Sequence, residues 1–204
     1  CVGGGVNSAV FTPKFLRLTS ESEREREEQR GTMARIIVTG GNAGIGFALC
    51  SQLAEKGCHV YLCSRSIEKG KAAVQQIMEK QPTAKVELVQ CDTSSNDSVA
   101  AAAGCVKESL GGETLFAIVN NAGCGLNQAG DVSVDNVINT NLYGPKRVCE
   151  AFIPLLQPAG ARIVNVGSGS GPGFVNKNPQ HRALPCSWDT TWEQLEALAR
   201  TKPW

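Results

Sequence analysis

A chain of 204 residues, 42% hydrophobic and 19% charged, has the length for one domain that buries roughly 70% of its extended-chain surface. Its net charge of +1 supplies no field for nucleic acid or an anionic membrane, and no apolar run approaches the ~20 residues of a membrane span or resembles a signal-peptide core. Nine cysteines, at 1, 50, 58, 63, 91, 105, 124, 149 and 186, form no C-x-x-C pair; this argues against a disulfide framework or a metal site and for free thiols in a reducing, cytoplasmic compartment.

Residues 1–32 differ in character from the rest of the chain. A Gly-Gly-Gly run near the start and a dense mixture of charges from Glu21 to Arg30 bury little. Three accounts stay open: a disordered or weakly helical extension, a stretch of upstream or misassembled reading frame ahead of a natural start at Met33, or an organelle-targeting segment, which the acidic cluster opposes.

From Met33 onwards strands and helices alternate. Ile36, Ile37 and Val38 form the β-branched run of a buried parallel strand, halted by the glycine-punctuated turn Thr39-Gly-Gly-Asn-Ala-Gly-Ile-Gly46. Ile45, Leu49 and Leu53 then recur on one helical face, and Gly57 stands where a C-terminal cap falls. Val60–Cys63 reads as a second strand, Ile67–Lys80 as a charged helix and Val86–Val89 as a third strand. A helix capped by Asn96 or Ser98 runs to Leu110, Phe116–Val119 makes a fourth strand, one long helix covers about 134–156, and Arg162–Val166 makes a fifth strand. Right-handed crossovers of this kind give an α/β fold with a doubly wound, Rossmann-like parallel sheet and a ligand at the carboxyl ends of its strands.

The loop between the first strand and helix carries the chemistry. It aims free backbone N–H groups and the positive end of a helix dipole at the sheet edge, where a pyrophosphate binds. Gly40, Gly44 and Gly46 turn the chain, admit phosphate to the backbone and let helix pack on strand. The end of the second strand lies about 20 residues on, where an acidic side chain would bind the 2′-hydroxyl of NAD. Here the residues are Cys63-Ser64-Arg65; without a carboxylate, and with a guanidinium able to pair a 2′-phosphate, the cofactor expected is NADP(H). Asp92, after the third strand, by itself suits a turn or a helix cap.

Thr39-Gly-x-x-x-Gly-Ile-Gly46, Asn120-Asn-Ala-Gly123, Asn139-Thr-Asn141 and the strand end Asn165-Val-Gly-Ser168 together resemble the short-chain dehydrogenase/reductase superfamily from Met33 to about Gly171. The resemblance implies a cofactor site of Thr39, Gly40, Asn42, Gly44, Ile45, Gly46, Ser64, Arg65, Asp92, Asn120, Ala122 and Gly123, with Asp92 on the adenine amino group and Asn120 bridging neighbouring strands. It implies catalytic roles for Ser168, on the substrate carbonyl, with Ser170 as the fallback, and for Asn141, which holds a relay water through a break in helical bonding beside Gly144 and Pro145. One departure is Ala43, where many NADP-preferring relatives carry a base.

The family's proton donor is a tyrosine with a lysine four residues on. The tyrosines here, Tyr61 and Tyr143, are each followed at that spacing by arginine, and neither follows Ser168. The resemblance therefore implies a C-terminally incomplete sheet, in three parts: an extension over 1–32, a dinucleotide domain over 33–171, and over 172–204 a loop and short helix similar to the start of a carbonyl-reductase insertion. Thr190 and Glu193 have capping-box spacing, with Trp192, Leu195 and Leu198 as that helix's apolar side. The function implied is NADPH-dependent reduction of a small ketone or aldehyde, by a fragment inactive alone; a truncated nucleotide-binding regulator is the alternative. No nucleic-acid or membrane partner is expected, and the oligomeric state stays open.

Overall fold

The structure, a computed structural model, describes residues 33–125, 133–179, 187 and 189–201, so the expectations for residues 1–32 lie outside it. Its strands are β1 (Arg35–Val38), β2 (His59–Ser64), β3 (Lys85–Gln90), β4 (Ala117–Asn120) and β5 (Arg162–Asn165). All pair in parallel, in the order β3-β2-β1-β4-β5. The chain builds outward from β1 through β2 and β3, then returns to lay β4 on the other side of β1. That reversal opens a crevice at the carboxyl ends of β1 and β4.

Helices cover both faces, which is why β1 is apolar without alternation. On one face Ile36 and Val38 pack with α1 (Gly44–Glu55) and α2 (Ile67–Lys80) through Cys50, Leu53, Ala73 and Ile77. On the other, Ile37, Tyr61 and Ile118 pack with α3 (Asn96–Leu110) and α5 (Gly144–Phe152) through Val99, Val106, Val148 and Phe152. Successive strand residues point to opposite faces, so one short run feeds two cores.

Several local expectations are corrected. The buried stripe of α1 is Gly46, Cys50, Leu53 and Ala54, whereas Ile45 is 71% exposed. The four-residue spacing is right for a helix, but α1 docks through its glycine side and Ile45 is left facing outward. Gly57 does end α1: at φ +78 its N–H bonds Ala54 O at 2.9 Å and Cys58 N–H bonds Leu53 O at 3.0 Å, the Schellman pattern. The cap of α3 is Ser95, whose hydroxyl accepts from Ser98 N–H; Ser98 instead accepts from Asp92 N–H at 2.9 Å.

The long helix expected over 134–156 is four pieces: α4 (Val134–Ile138), a π turn (Asn139–Tyr143), α5 and a 3-10 turn (Ile153–Leu155). The stretch after Ser168, expected as a loop, forms α6 (Ser170–Lys177). Its helix-breakers Gly171 and Pro172 fall in the first turn, where proline's missing N–H leaves no helical bond unmade. In α7 (Trp192–Thr201) the capping box is one residue later than its spacing suggested: Thr191 N–H donates to Gln194 Oε1 at 2.9 Å, and Gln194 N–H to Thr191 Oγ1 at 3.4 Å. Among the described residues no helix is long and apolar enough to cross a membrane.

Candidate functional site

A cleft of about 580 Å³ lies along the carboxyl ends of β1, β2 and β4, at the reversal of strand order. Thr39 and Asn121 fix its floor. Thr39 Oγ1 accepts from Asn121 and Ala122 N–H, both at 3.0 Å, and donates to Val119 O at 3.3 Å. Asn121 Nδ2 donates to Thr39 O at 2.9 Å and Gly40 O at 3.2 Å. Two side chains thus lock the loops after β1 and β4 to each other.

The loop brings α1 in very close. A Cβ at Gly46 would sit 2.3 Å from Gly40 O, so only glycine lets the first turn of α1 rest on the β1 loop. Gly44 faces open space but holds φ +55, which L side chains rarely adopt. No side chain caps α1 at Ala43, and its first turn holds no acidic residue. Gly44, Ile45 and Gly46 line the cleft at this uncapped end, leaving orphan N–H groups and a positive dipole for an anion.

Beyond the end of β2 the cleft is lined by Ser64, Arg65, Ser66 and Lys69. Ser64, 2% exposed, donates to Ser66 O at 2.8 Å, and Ser66 Oγ accepts from Lys69 N–H at 3.2 Å as the cap of α2. The turn therefore presents Arg65 and Lys69 to one side of the cleft. Asp92 lines it next, half-buried, with Oδ1 accepting from Ser94 N–H at 2.9 Å and Ser94 Oγ at 2.6 Å; its turn-forming role is made in the structure.

Of the residues expected from sequence, Gly40, Asn42, Gly44, Ile45, Gly46, Ser64, Arg65, Asp92, Ala122 and Gly123 come together on the cleft wall. Thr39 and Asn120 do not. Thr39 is 1% exposed and holds the loops from behind; Asn120, 4% exposed, donates to Asn165 Oδ1 at 2.8 Å and so bridges β4 to β5. Thr39 thus supports the cleft from behind, and Asn120 makes the bridge between neighbouring strands that the resemblance implies. Asn141 lies in the π turn, where its amide clasps the Cys124 backbone, accepting from N–H at 2.9 Å and donating to O at 2.8 Å. Ser168 is exposed and does not line the cleft; its hydroxyl bonds Ser170 Oγ and accepts from Ser170 N–H, each at 3.2 Å. Neither tyrosine lines it: Tyr61 is in the core, and Tyr143 donates to Glu196 Oε1 at 2.6 Å.

Sequence reasoning missed Lys69, Asn121, Thr93 and Thr140 among the residues that shape the cleft. Lys69 had a signal. A cation in the first turn of a helix opposes the helix dipole, so a lysine there invites an anionic partner as its reason. Asn121 had none beyond its motif, because its bonds are to residues about eighty positions away. Among the described residues no group of three His, Cys, Asp or Glu side chains gathers as a metal site.

The sheet order and the glycine loop at its reversal define a Rossmann-like α/β protein. A family model described as short chain dehydrogenase matches residues 34–180, and the chain belongs to that family. It is 37% identical over 179 residues to (-)-isopiperitenone reductase of Mentha piperita, covering 66% of this chain and 56% of that protein. It is 34% identical over 137 residues to NADPH carbonyl reductase 1 of Mus musculus, covering 65% of this chain and 48% of that one. Among solved structures, menthone neomenthol reductase from Mentha piperita aligns with a TM-score of 0.73 at 30% identity, over 83% of this chain and 72% of that one. The chain spans about half the length of these curated relatives.

Proposed function

We propose that the cleft binds NADPH and that the protein serves the reduction of a small ketone or aldehyde. The observation that carries this is the pairing of Arg65 and Lys69 on one cleft wall with the uncapped end of α1 on the next. Arg65, just beyond β2, and Lys69, in the first turn of α2, suit a 2′-phosphate, and the orphan N–H groups of Gly44, Ile45 and Gly46 suit a pyrophosphate. Asp92 is assigned to accept the adenine amino group, and Ala122 and Gly123 to the close approach of backbone to cofactor; all three line the cleft. When bound, NADPH supplies the hydride for the carbonyl carbon.

Ser168 is assigned to hydrogen-bond the substrate oxygen as charge develops there. For that the turn before α6 must release its hydroxyl from Ser170. Asn141, by clasping Cys124, positions the loop that follows Gly123 and is the residue assigned to order a relay water. No tyrosine of these 204 residues has a lysine four residues on, so this chain alone is assigned cofactor binding and little or no turnover. The placement of both tyrosines and of Ser168 away from the cleft favours a second reading, a nucleotide-binding protein that acts without catalysis.

Titration by NADPH and NADH tests the main reading. Saturable NADPH binding is expected, with Arg65→Ala and Lys69→Ala each weakening it by about tenfold or more and leaving NADH unchanged, as for loss of a charge-assisted bond. Equal loss toward both nucleotides would sink the 2′-phosphate assignment. NADPH oxidation with a carbonyl substrate by these 204 residues alone would sink the inactive-fragment assignment.

A further inference from the structure

The β2–β3 pairing sets two thiols side by side. Cys63 stands opposite Val89, and Cys91 follows two residues later, its N–H donating to Ser64 O at 3.0 Å. Residues two apart along a strand face the same side. Both cysteines accordingly lie in the cluster beneath α3, 0% and 4% exposed, with Val89 and Val99. There they are diagonal neighbours across the β2–β3 pairing, on the same face of the sheet.

They are not equivalent. Cys91 lines the cleft beside Asp92 and Thr93, whereas Cys63 does not. The neighbouring Cys91 and complete burial hold the Cys63 thiol protonated, well above the usual thiol range. A thiol at the cleft edge, backed by a fully buried one on the neighbouring strand, has the spatial order of an attacking and a resolving cysteine. The other buried thiol nearby, Cys50, belongs to the core on the opposite face of the sheet.

We infer that Cys91 and Cys63 form a peroxide-sensitive dithiol at the end of the cleft assigned to adenine, and that its disulfide and bound NADPH exclude one another. The exclusion rests on the cofactor reading above; the dithiol does not. The Cys91 thiolate attacks one oxygen of hydrogen peroxide, breaking the O–O bond and leaving a sulfenic acid and hydroxide. The Cys63 sulfur then attacks the Cys91 sulfur, an S–S bond forms as the S–O bond breaks, and the leaving oxygen departs as water. In sum two thiols lose two electrons and two protons, and one peroxide becomes two waters. A disulfide holds its Cα atoms at about 4.4–6.8 Å, so closing it across this diagonal pair draws Cys91 toward β2 and carries Asp92 and Thr93 with it.

The test is peroxide treatment of the purified protein, blocking of remaining thiols, digestion without reductant and peptide mass mapping. The expected product is a Cys63–Cys91 cross-link two hydrogens lighter than the separate peptides. It should form about tenfold more slowly under saturating NADPH, and the oxidised protein should bind NADPH about tenfold more weakly until dithiothreitol restores it. In Cys63→Ala, checked for folding by circular dichroism, Cys91 should be trapped by dimedone as the sulfenic acid. Peroxide that oxidises exposed Cys105 without cross-linking Cys63 to Cys91 overturns the dithiol. A cross-link whose formation ignores NADPH overturns the exclusion. Failure of the reduced protein to bind NADPH overturns the cofactor reading and the exclusion with it, while the cross-link map still decides the dithiol.

Discussion

Arg35-Ile-Ile-Val38 and Arg162-Ile-Val-Asn165 are nearly the same tetrapeptide, laid parallel on either side of β4. One row of the sheet runs Ile37, Ile118, Ile163 and the next Val38, Val119, Val164. Ile37 and Val38 are fully buried; Ile163 is 43% and Val164 37% exposed. What differs is the surroundings. β1 has a strand on each side and helices on both faces, while β5, among the described residues, pairs only with β4. A β-branched run therefore states what a segment can bury, and topology decides how much it does bury.

The largest way to break that contrast is to truncate the same side chain in both strands. Ile37→Ala should cost about 2–5 kcal/mol, and Ile163→Ala about 1 kcal/mol or less, read as shifts in the urea midpoint. Equal losses would mean that β5 is covered in solution. Glycines give a second matched pair. Gly46→Ala drives a methyl into Gly40 O and Asn121 and should cost about 1–3 kcal/mol along with the cleft's nucleotide affinity. Gly171→Ala, in α6, meets nothing within 4 Å and should be neutral or stabilising by up to about 1 kcal/mol, by thermal melting.

The buried half should also be the alkali-sensitive half. Burial pushes the Cys50 thiol from 9.0 up to about 12. The unfolded chain then loses this proton first, so the contribution is intact below about pH 9 and is lost as pH rises toward 12. The slope per such thiol is at most about 1.4 kcal/mol per pH unit. Midpoints measured from pH 8 to 10.5 should fall, and Cys50→Ala should flatten the fall. At pH 8 an alkylating reagent should label exposed Cys105 well ahead of Cys50.

Much of this was legible in the chain. The helix over Ile67–Lys80 has the limits its pattern suggested, because a serine cap and a charged, amphipathic run define it locally. The strands were legible for the same reason, as was the glycine loop. What escaped depends on partners distant in sequence. Ile45 has the spacing of a core residue, yet which side of α1 docks is decided by how near Gly46 comes to Gly40. Asn121, adjacent and chemically identical to the strand-bridging Asn120, ties the β1 loop through partners about eighty residues away. Helix α6 was hidden by glycines and a proline whose position in the first turn makes them harmless.

The smallest effect, and the finest comparison, is between two caps of the same chemistry. Ser95 accepts from Ser98 N–H at the start of α3, and Thr191 accepts from Gln194 N–H at the start of α7. Each hydroxyl satisfies one orphan N–H, so Ser95→Ala and Thr191→Ala should each cost about 1 kcal/mol locally. Helix α3 supplies four buried residues to the core, Val99, Ala102, Val106 and Leu110, while α7 supplies only Ala199. Loss of the first cap should therefore appear in global unfolding, whereas loss of the second should leave the urea midpoint unchanged and speed hydrogen exchange only in the amides of α7. A fall in the global midpoint for Thr191→Ala would mean that the tail helix unfolds with the sheet as one unit, and the division drawn between β1 and β5 would then have to be moved beyond residue 191.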